Sequence, residues 1–211
     1  ALNCAAVTET LQESEMFGHE RGAYTGADQR RKGLLEVADG GSLFLDEVAE
    51  LSPTLQAKLL RSIQERCFTR VGGTDEVASD FRIVAATHRN LANEVKAGHF
   101  REDLFFRLAV FECELPPLRE RTGDLPLLTR HFLAQGNDGA SPGPDLTAAT
   151  LQVLCAHSWP GNVRELMNAL ERARVMAAGS AIRPEDLPPR VQRLDDGQEE
   201  LEGLQISRAS G

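Results

Sequence analysis

One apolar strand determines the architecture predicted for this chain. With the residues on either side, it reads Gly40-Gly41-Ser42-Leu43-Phe44-Leu45-Asp46-Glu47. An apolar run without polar alternation predicts a strand that is buried on both faces of a parallel sheet. Carboxylates at the end of such a strand suit phosphoryl transfer, with Asp46 as a Mg²⁺ ligand and Glu47 orienting a water. The octet alone is equally compatible with a buried strand that runs into an acidic turn.

A second buried strand is predicted at residues 81–86, and Thr87 and His88 follow its end. Strands of a parallel sheet end at a common edge. These two side chains would therefore lie near Asp46 and Glu47 if the strands are neighbours. His88 by itself is as compatible with a structural histidine as with a functional one.

Helical segments are predicted on both sides of these strands. A short helix is expected around residues 10–17. Ser52 followed by Pro53 is typical of a helix start, and the apolar residues that follow at helical spacing predict a helix packed on the sheet. The turn residues within 66–80 predict a β-hairpin.

A glycine-rich loop precedes the apolar strand that ends at Asp46. Its sequence is Gly22-Ala23-Tyr24-Thr25-Gly26-Ala27. Each glycine costs about 1 kcal/mol relative to alanine in a helix interior, so this segment is predicted to be a loop. We expect its aromatic tip, Tyr24, to face solvent and to suit contact with a partner. A plain surface turn is the alternative.

Two arginines lie in a segment with a helical pattern, residues 91–108. Arg101 and Arg107 are six positions apart, which places them on largely opposite sides of a regular helix. They cannot serve one site on their own subunit unless the helix breaks. The alternative is that both are solvated and pair locally with Glu102 and Asp103.

The second half of the chain is predicted to be helical. The Leu-Pro-Pro-Leu sequence at residues 115–118 marks a hinge. Arg164 follows the predicted N-cap Asn162, in a first helical turn where the helix dipole disfavours a cation, which suggests an anion nearby. The remaining predicted segments are helices at 125–134, 148–157 and from 162 to just before Gly179, a loop at 136–144 and a flexible tail from Asp195.

Composition describes an ordinary globular protein. The 211 residues are 41% hydrophobic and 26% charged, and the formal charge of −9 argues against binding nucleic acid by bulk charge. Four scattered cysteines indicate reduced thiols in the cytoplasm rather than disulfides or a zinc site. No membrane-spanning stretch or signal peptide is found.

Together, these segments resemble the central ATPase domain of bacterial enhancer-binding proteins, the AAA+ activators of sigma-54 RNA polymerase. The resemblance implies an α/β fold, with an AAA+ P-loop NTPase-type parallel sheet flanked by helices and a small all-helical lid. The predicted parts are the α/β core at 1–116, the lid at 117–192 and a linker or tail at 193–211. The segments that carry the resemblance are 2–6, 15–20, 22–27, 41–47, 100–104, 115–121 and 159–166.

The resemblance assigns roles at the strand ends. Asp46 and Glu47 match the Walker B pair, which implies ATP and Mg²⁺ as cofactors. Asn3 matches the asparagine that holds the catalytic glutamate in an inactive pose. Thr87 and His88 fall at sensor I, where many relatives have asparagine in place of histidine.

Other roles concern neighbouring subunits and partners. Arg101 and Arg107 match arginine fingers that act on nucleotide in the next subunit of a hexameric or heptameric ring, and Arg164 matches sensor II. The loop at 22–27, with Tyr24 in place of the usual phenylalanine, would contact sigma-54. Enhancer DNA would be bound only through a helix-turn-helix that this chain lacks.

One expected motif is missing. The chain contains no Gly-Lys dipeptide, so the phosphate-binding Walker A loop is expected upstream of Ala1. We therefore predict that this chain is truncated, binds ATP weakly or not at all and hydrolyses it negligibly. Two alternatives are a nucleotide-independent sigma-54-binding module and an AAA+ remodelling ATPase of another clade. The loop at 22–27 argues against the second alternative.

Overall fold

The computed structural model describes residues 1–6, 8–135 and 145–193. The chain divides into two compact units, residues 1–113 and 114–211. The predicted loop at 136–144 and the predicted tail from Asp195 lie outside the described residues. None of the helices in the described ranges is long and apolar enough to cross a membrane.

The first unit is built from short strands and the helices between them. Its helices are α1 (Glu9–Phe17), α2 (Leu34–Val37), α3 (Pro53–Glu65), α4 (Leu91–Lys96) and α5 (Glu102–Leu108). Its strands are β1 (Leu2–Asn3), β2 (Gly18–His19), β3 (Arg31–Lys32), β4 (Ser42–Asp46), β5 (Cys67–Thr69), β6 (Glu76–Ala78) and β7 (Arg82–Ala85).

Strand β4 is the centre of a three-stranded sheet with the order β1-β4-β7. Both neighbours run parallel to β4. The predicted parallel α/β architecture is thus confirmed, and the C-terminal ends of all three strands meet at one edge. The β2–β3 and β5–β6 pairs are separate antiparallel ribbons, and the second is the predicted hairpin.

The prediction that β4 is buried on both faces is wrong for the described chain. Leu43 and Leu45 are buried, at 2% and 0% exposure, and belong to the core that α1 and α3 also line. Phe44 and its register partner Val84 are 40% and 48% exposed. Side chains alternate between the faces of a strand, and the described helices cover mainly the Leu43 face.

Helix α3 begins as its sequence predicts. Ser52 is the N-cap, and its Oγ accepts a hydrogen bond from the backbone N–H of Leu55 at 3.3 Å. Leu55, Leu59 and Leu60 are buried on the face that packs against the sheet. Capping and apolar spacing therefore agree on the position and orientation of this helix.

The helix expected over residues 91–108 is in fact two helices. α4 ends at Lys96 and α5 begins at Glu102. Gly98 between them has φ +76°, a left-handed conformation that ends a helix. Arg101 has an extended backbone just before α5, so the spacing argument that placed it opposite Arg107 does not apply.

The second unit is helical in its described part, as predicted. Its helices are α6 (Leu125–Gln135), α7 (Ala148–Ala156), α8 (Asn162–Ala177) and α9 (Pro189–Gln192). They enclose their own apolar core, in which Trp159 is 1% exposed and donates its indole N–H to the Leu154 carbonyl at 2.9 Å.

The prediction that Asn162 is the N-cap of α8 is wrong. It is the first helical residue, with φ +51°, and its Oδ1 accepts a hydrogen bond from the backbone N–H of Leu118 at 2.8 Å. Glu165 instead accepts a hydrogen bond from the Gly161 N–H at 2.8 Å. The N-terminus of α8 is therefore capped by the Glu165 carboxylate, one turn into the helix. The Asn162 side chain instead holds the segment that leads into α6.

Candidate functional site

The parallel sheet brings five of the predicted site residues to one edge. Asn3 at the end of β1 is the register partner of Asp46 at the end of β4. Glu47 follows Asp46, and Thr87 and His88 follow the neighbouring strand β7. The expected proximity of Thr87 and His88 to the carboxylates is therefore observed.

Glu47 turns towards the end of β7. Its backbone is left-handed, with φ 54° and ψ 49°, and the next residue, Val48, donates its N–H to the Ala86 carbonyl at 3.0 Å. The Glu47 Oε2 accepts hydrogen bonds from His88 Nδ1 at 2.8 Å, His88 N at 3.3 Å and Thr87 Oγ1 at 3.5 Å. These bonds fix the position of a carboxylate whose side chain is 25% exposed.

The same bonds favour the ionised form of Glu47. The side-chain hydrogen bond from His88 is the largest influence and lowers the pKa of the Glu47 carboxyl, although burial opposes it. Glu47 is therefore a carboxylate at neutral pH. It can accept a hydrogen bond from a water molecule and hold that water beside a phosphoryl group.

Asn3 contacts the other carboxylate. Its Nδ2 donates to Asp46 Oδ2 at 3.3 Å, and its Oδ1 accepts from the backbone N–H of Ala5 at 2.9 Å. The resemblance led us to expect a contact with Glu47. Asn3 reaches Asp46 instead because it is paired with Asp46 across the strands, whereas Glu47 points towards β7.

Cys4 is a site neighbour that the sequence analysis missed. It is 1% exposed, and its N–H donates to the Asp46 carbonyl at 2.9 Å. Burial, with the charges of Asp46 and Glu47, raises the pKa of the Cys4 thiol to about 11. The Cys4 thiol is therefore neutral and unreactive at neutral pH, and it packs next to the carboxylate pair. Its place next to Asn3 was the available signal, since β1 pairs with β4.

The two candidate arginine fingers form no hydrogen bond or ion pair with this group among the described residues. Arg101 is exposed and makes a two-pronged ion pair with Asp103, Nε to Oδ1 at 3.0 Å and Nη2 to Oδ2 at 2.7 Å. This pairing raises the pKa of Arg101 and lowers that of Asp103. Arg107 is exposed on α5 and forms no ion pair within the described ranges. The local pairing with Asp103 is thus observed for Arg101 but not for Arg107.

Arg164 belongs to the second unit. It lies in the first turn of α8, is exposed, and makes no ion pair with the residues that the structure describes. The adjacent Glu165 is buried and faces His157, with Nε2 and Oε1 3.3 Å apart. The side chain of Arg164 is therefore available to a ligand, while its neighbour holds the turn.

The loop at residues 22–27 closes on itself above the β2–β3 ribbon. The N–H of Gly22 donates to the Ala27 carbonyl at 2.8 Å, and the N–H of Ala27 donates to the Tyr24 carbonyl at 3.0 Å. Gly22 and Gly26 have φ values of 82° and 96°, which other residues rarely adopt. Thr25 and Gly26 are exposed at the tip.

The prediction that Tyr24 faces solvent is wrong. It is half-buried, its hydroxyl lies 3.3 Å from Ser14 Oγ, and its ring meets the His19 ring edge-on at 5.1 Å. The prediction considered only the small residues next to Tyr24 in sequence. It missed that the loop folds back towards α1.

A buried arginine joins the base of this loop to the β5–β6 hairpin. Arg70 is 6% exposed and pairs with Glu20 at 3.1 Å and Glu36 at 2.6 Å. Burial opposes ionisation of Glu36, but hydrogen bonds from Arg70 and Lys32 outweigh it and lower the Glu36 pKa. Local sequence patterns do not indicate this network, because Arg70 is 34 and 50 positions away from its two partners.

The family of the chain follows from sequence comparison. Residues 1–114 match the sigma-54 interaction domain, and residues 119–203 match an AAA+ ATPase lid domain. The transcriptional regulatory protein ZraR of Escherichia coli (strain K12) is 53% identical over 190 residues, which are 89% of this chain and 43% of ZraR. The Nif-specific regulatory protein of Azotobacter vinelandii is 55% identical over 183 residues, 86% of this chain and 35% of that protein. The chain thus spans less than half the length of these two relatives.

Comparison with solved structures points to the same family. NtrX from Brucella abortus, in complex with ATP, has a TM-score of 0.80 and 36% identity, over 100% of this chain and 50% of NtrX. A Thermotoga maritima RuvB variant has a TM-score of 0.59 at 14% identity and shows the AAA+ fold alone. This chain belongs to the sigma-54 interaction domain family of AAA+ transcriptional regulators.

Proposed function

We propose that this chain forms the catalytic core and lid of an activator that couples ATP hydrolysis to remodelling of the sigma-54 RNA polymerase closed complex. The observation that carries the proposal is the carboxylate pair at the end of β4, with Glu47 fixed by His88 and Thr87 at the end of β7. The ATP complex of NtrX, a relative of this chain, supports nucleotide as the ligand.

The two carboxylates fit different parts of the chemistry. Asp46 is only partly buried, so its carboxylate would be able to hold a magnesium ion. When bound, ATP would supply the phosphoryl group, and Mg²⁺ would neutralise the negative charge of that group. Glu47 would hold the attacking water. His88 and Thr87 bond to Oε2, so they orient the carboxylate while its other oxygen, Oε1, could accept a hydrogen bond from that water.

The arginines would act between subunits. Neither Arg101 nor Arg107 bonds to the carboxylate pair within the described part of its own chain. In a hexameric or heptameric ring, the guanidinium of Arg101 would leave Asp103 and neutralise charge on nucleotide in the next subunit. Arg164 would contact nucleotide from the lid of its own subunit.

The loop at 22–27 would be the contact with sigma-54, in the cytoplasm where RNA polymerase works. Thr25 and Gly26 are exposed at its tip. The formal charge of −9 does not favour DNA binding by this chain, so enhancer DNA would be bound by a separate helix-turn-helix.

A second candidate function applies to the 211-residue chain by itself. It contains no Gly-Lys dipeptide, yet the loop at 22–27 is fully formed. The chain alone would then bind sigma-54 without nucleotide and show little hydrolysis. A sigma-54 pull-down that tolerates Asp46→Ala but not Thr25→Ala would support this function, and the reverse pattern would exclude it.

The test of catalysis is the ATPase rate of the full-length protein with Glu47→Gln. Loss of the residue that holds the attacking water should lower the rate by about 100-fold or more while ATP still binds. Glu50→Gln is the matched control, because Glu50 lies in the same turn but pairs with Arg89 at 2.5 Å. An unchanged rate in Glu47→Gln would contradict the assignment.

A further inference from the structure

Tyr24, at the tip of the loop that we assign to sigma-54, has a polar partner in the body of the first unit. Its hydroxyl lies 3.3 Å from the Oγ of Ser14, on α1. The same Ser14 Oγ lies 2.7 Å from His19 Nδ1. Tyr24 also meets the His19 ring edge-on, with the ring centres 5.1 Å apart. The aromatic tip is thus held by one hydrogen bond and one ring contact.

Both partners are part of the folded body rather than of the loop. Ser14 is 2% exposed and His19 is 6% exposed, and both lie in regular elements. The bond between them holds the Ser14 hydroxyl in the position where Tyr24 contacts it. The ring contact would be available to any aromatic residue, but only a tyrosine brings the hydroxyl that reaches Ser14.

We propose that the Tyr24 hydroxyl is a latch that holds the loop against α1, and that the latch must open before the tip binds its partner. This inference rests on the proposed sigma-54 contact. A side chain that packs on His19 and bonds to Ser14 presents only part of its surface to another protein. The apparent affinity is therefore the affinity of the free loop multiplied by the fraction of molecules whose loop is free.

The expected size of the effect follows from a single hydrogen bond. Removing one such bond changes an equilibrium by about two- to tenfold. Tyr24→Phe keeps the ring and should bind sigma-54 about two- to tenfold more tightly than the wild type. Ser14→Ala opens the same latch without altering the loop and should act in the same direction.

The latch can be observed directly because Tyr24 is the chain's one tyrosine. The 211-residue chain labelled with 3-fluorotyrosine should give one ¹⁹F resonance, which Tyr24→Phe removes. We expect that resonance to be displaced from free 3-fluorotyrosine and to move towards it in Ser14→Ala. Thr10→Ala, on the exposed side of α1, is the control and should leave the resonance in place. A wild-type resonance at the free position, or one that Ser14→Ala does not move, would overturn the latch.

Binding to purified sigma-54, measured on the same samples, tests the consequence. Tighter binding by both Ser14→Ala and Tyr24→Phe supports the proposal. Equal or weaker binding by both would overturn the regulatory role while leaving the sigma-54 contact itself intact. If neither the wild type nor the variants bind, the proposed partner is wrong and the regulatory role falls with it, even if the ¹⁹F data show the loop docked.

Discussion

His88 Nδ1 lies 2.8 Å from Glu47 Oε2, so the residue after one strand holds the carboxylate that follows its neighbour. The bond lowers the pKa of Glu47 and fixes the orientation of its carboxylate. The position of Glu47 is therefore set by β7 as well as by β4. This relationship gives His88 a role even before nucleotide arrives.

Replacing His88 with alanine should raise the pKa of Glu47 towards its ordinary value. The Glu47 pKa is lower in the folded chain than in the unfolded chain, so its stabilising effect exists above the unfolded value and is lost as pH falls through the folded value. The variant should lose at most about 1 kcal/mol at neutral pH and converge with the wild type in acid. A ¹³C NMR titration of the Glu47 carboxyl measures the change in pKa. Urea unfolding at neutral and at acidic pH measures the change in stability. An unshifted titration would contradict the role of His88.

The Cys4 thiol should resist alkylation in the folded chain. Its pKa is raised to about 11, and the residue is 1% exposed, whereas Cys113 and Cys155 are exposed. Iodoacetamide labelling followed by mass spectrometry at pH 8 should modify the two exposed cysteines first. Cys4 should react only after unfolding. Because its pKa is raised on folding, the stability that its neutral form provides should decline between about pH 9 and 11. Rapid labelling of Cys4 in the native chain would exclude the buried site described above.

Arg70→Ala should destabilise the first unit by about 3 kcal/mol, because it removes a buried arginine and leaves the partly buried Glu36 carboxylate without its main partner. Urea unfolding measures this loss. Arg61→Ala is the matched control, since Arg61 is an exposed arginine whose partner Glu65 lies one turn away. The control should change stability far less, because an exposed ion pair contributes little. Equal effects of the two substitutions would show that the Arg70 network contributes little.

Gly33→Ala should disrupt the base of the β2–β3 ribbon. A methyl group there would lie 2.2 Å from the backbone nitrogen of Gly18 and 2.6 Å from the Met16 carbonyl oxygen, and backbone cannot move aside cheaply. We expect a loss of about 1–3 kcal/mol in unfolding free energy. Gly41→Ala, whose nearest new contact is 3.4 Å away, should be tolerated. Comparable losses in both variants would count against the close approach at Gly33.

Much of the architecture was predictable because local signals agreed with the final packing. The apolar strand before Asp46 and the Ser52-Pro53 start of α3 point to the same layered unit, and the structure confirms both. Parallel pairing then places Thr87 and His88 beside the carboxylates. These features depend on periodicity, capping and strand ends, which a sequence displays directly.

Other features depend on contacts that local patterns do not encode. The half-buried position of Tyr24 requires Ser14, ten positions away, and the Arg70 network joins residues 34 and 50 positions apart. The break between α4 and α5 is different, since Gly98 was a readable signal that the helical pattern obscured. The roles of Arg101, Arg107 and Arg164 stay predictions, because they concern nucleotide and neighbouring subunits.

Open-complex formation at a sigma-54 promoter by the full-length protein, measured together with its ATPase rate, tests the proposed coupling most directly. We expect Thr25→Ala to hydrolyse ATP at close to the wild-type rate but to form no open complex. Glu47→Gln should fail in both assays. Open-complex formation by Glu47→Gln, or by Thr25→Ala at the wild-type level, would contradict the claim that these two sites convert ATP hydrolysis into remodelling of the polymerase.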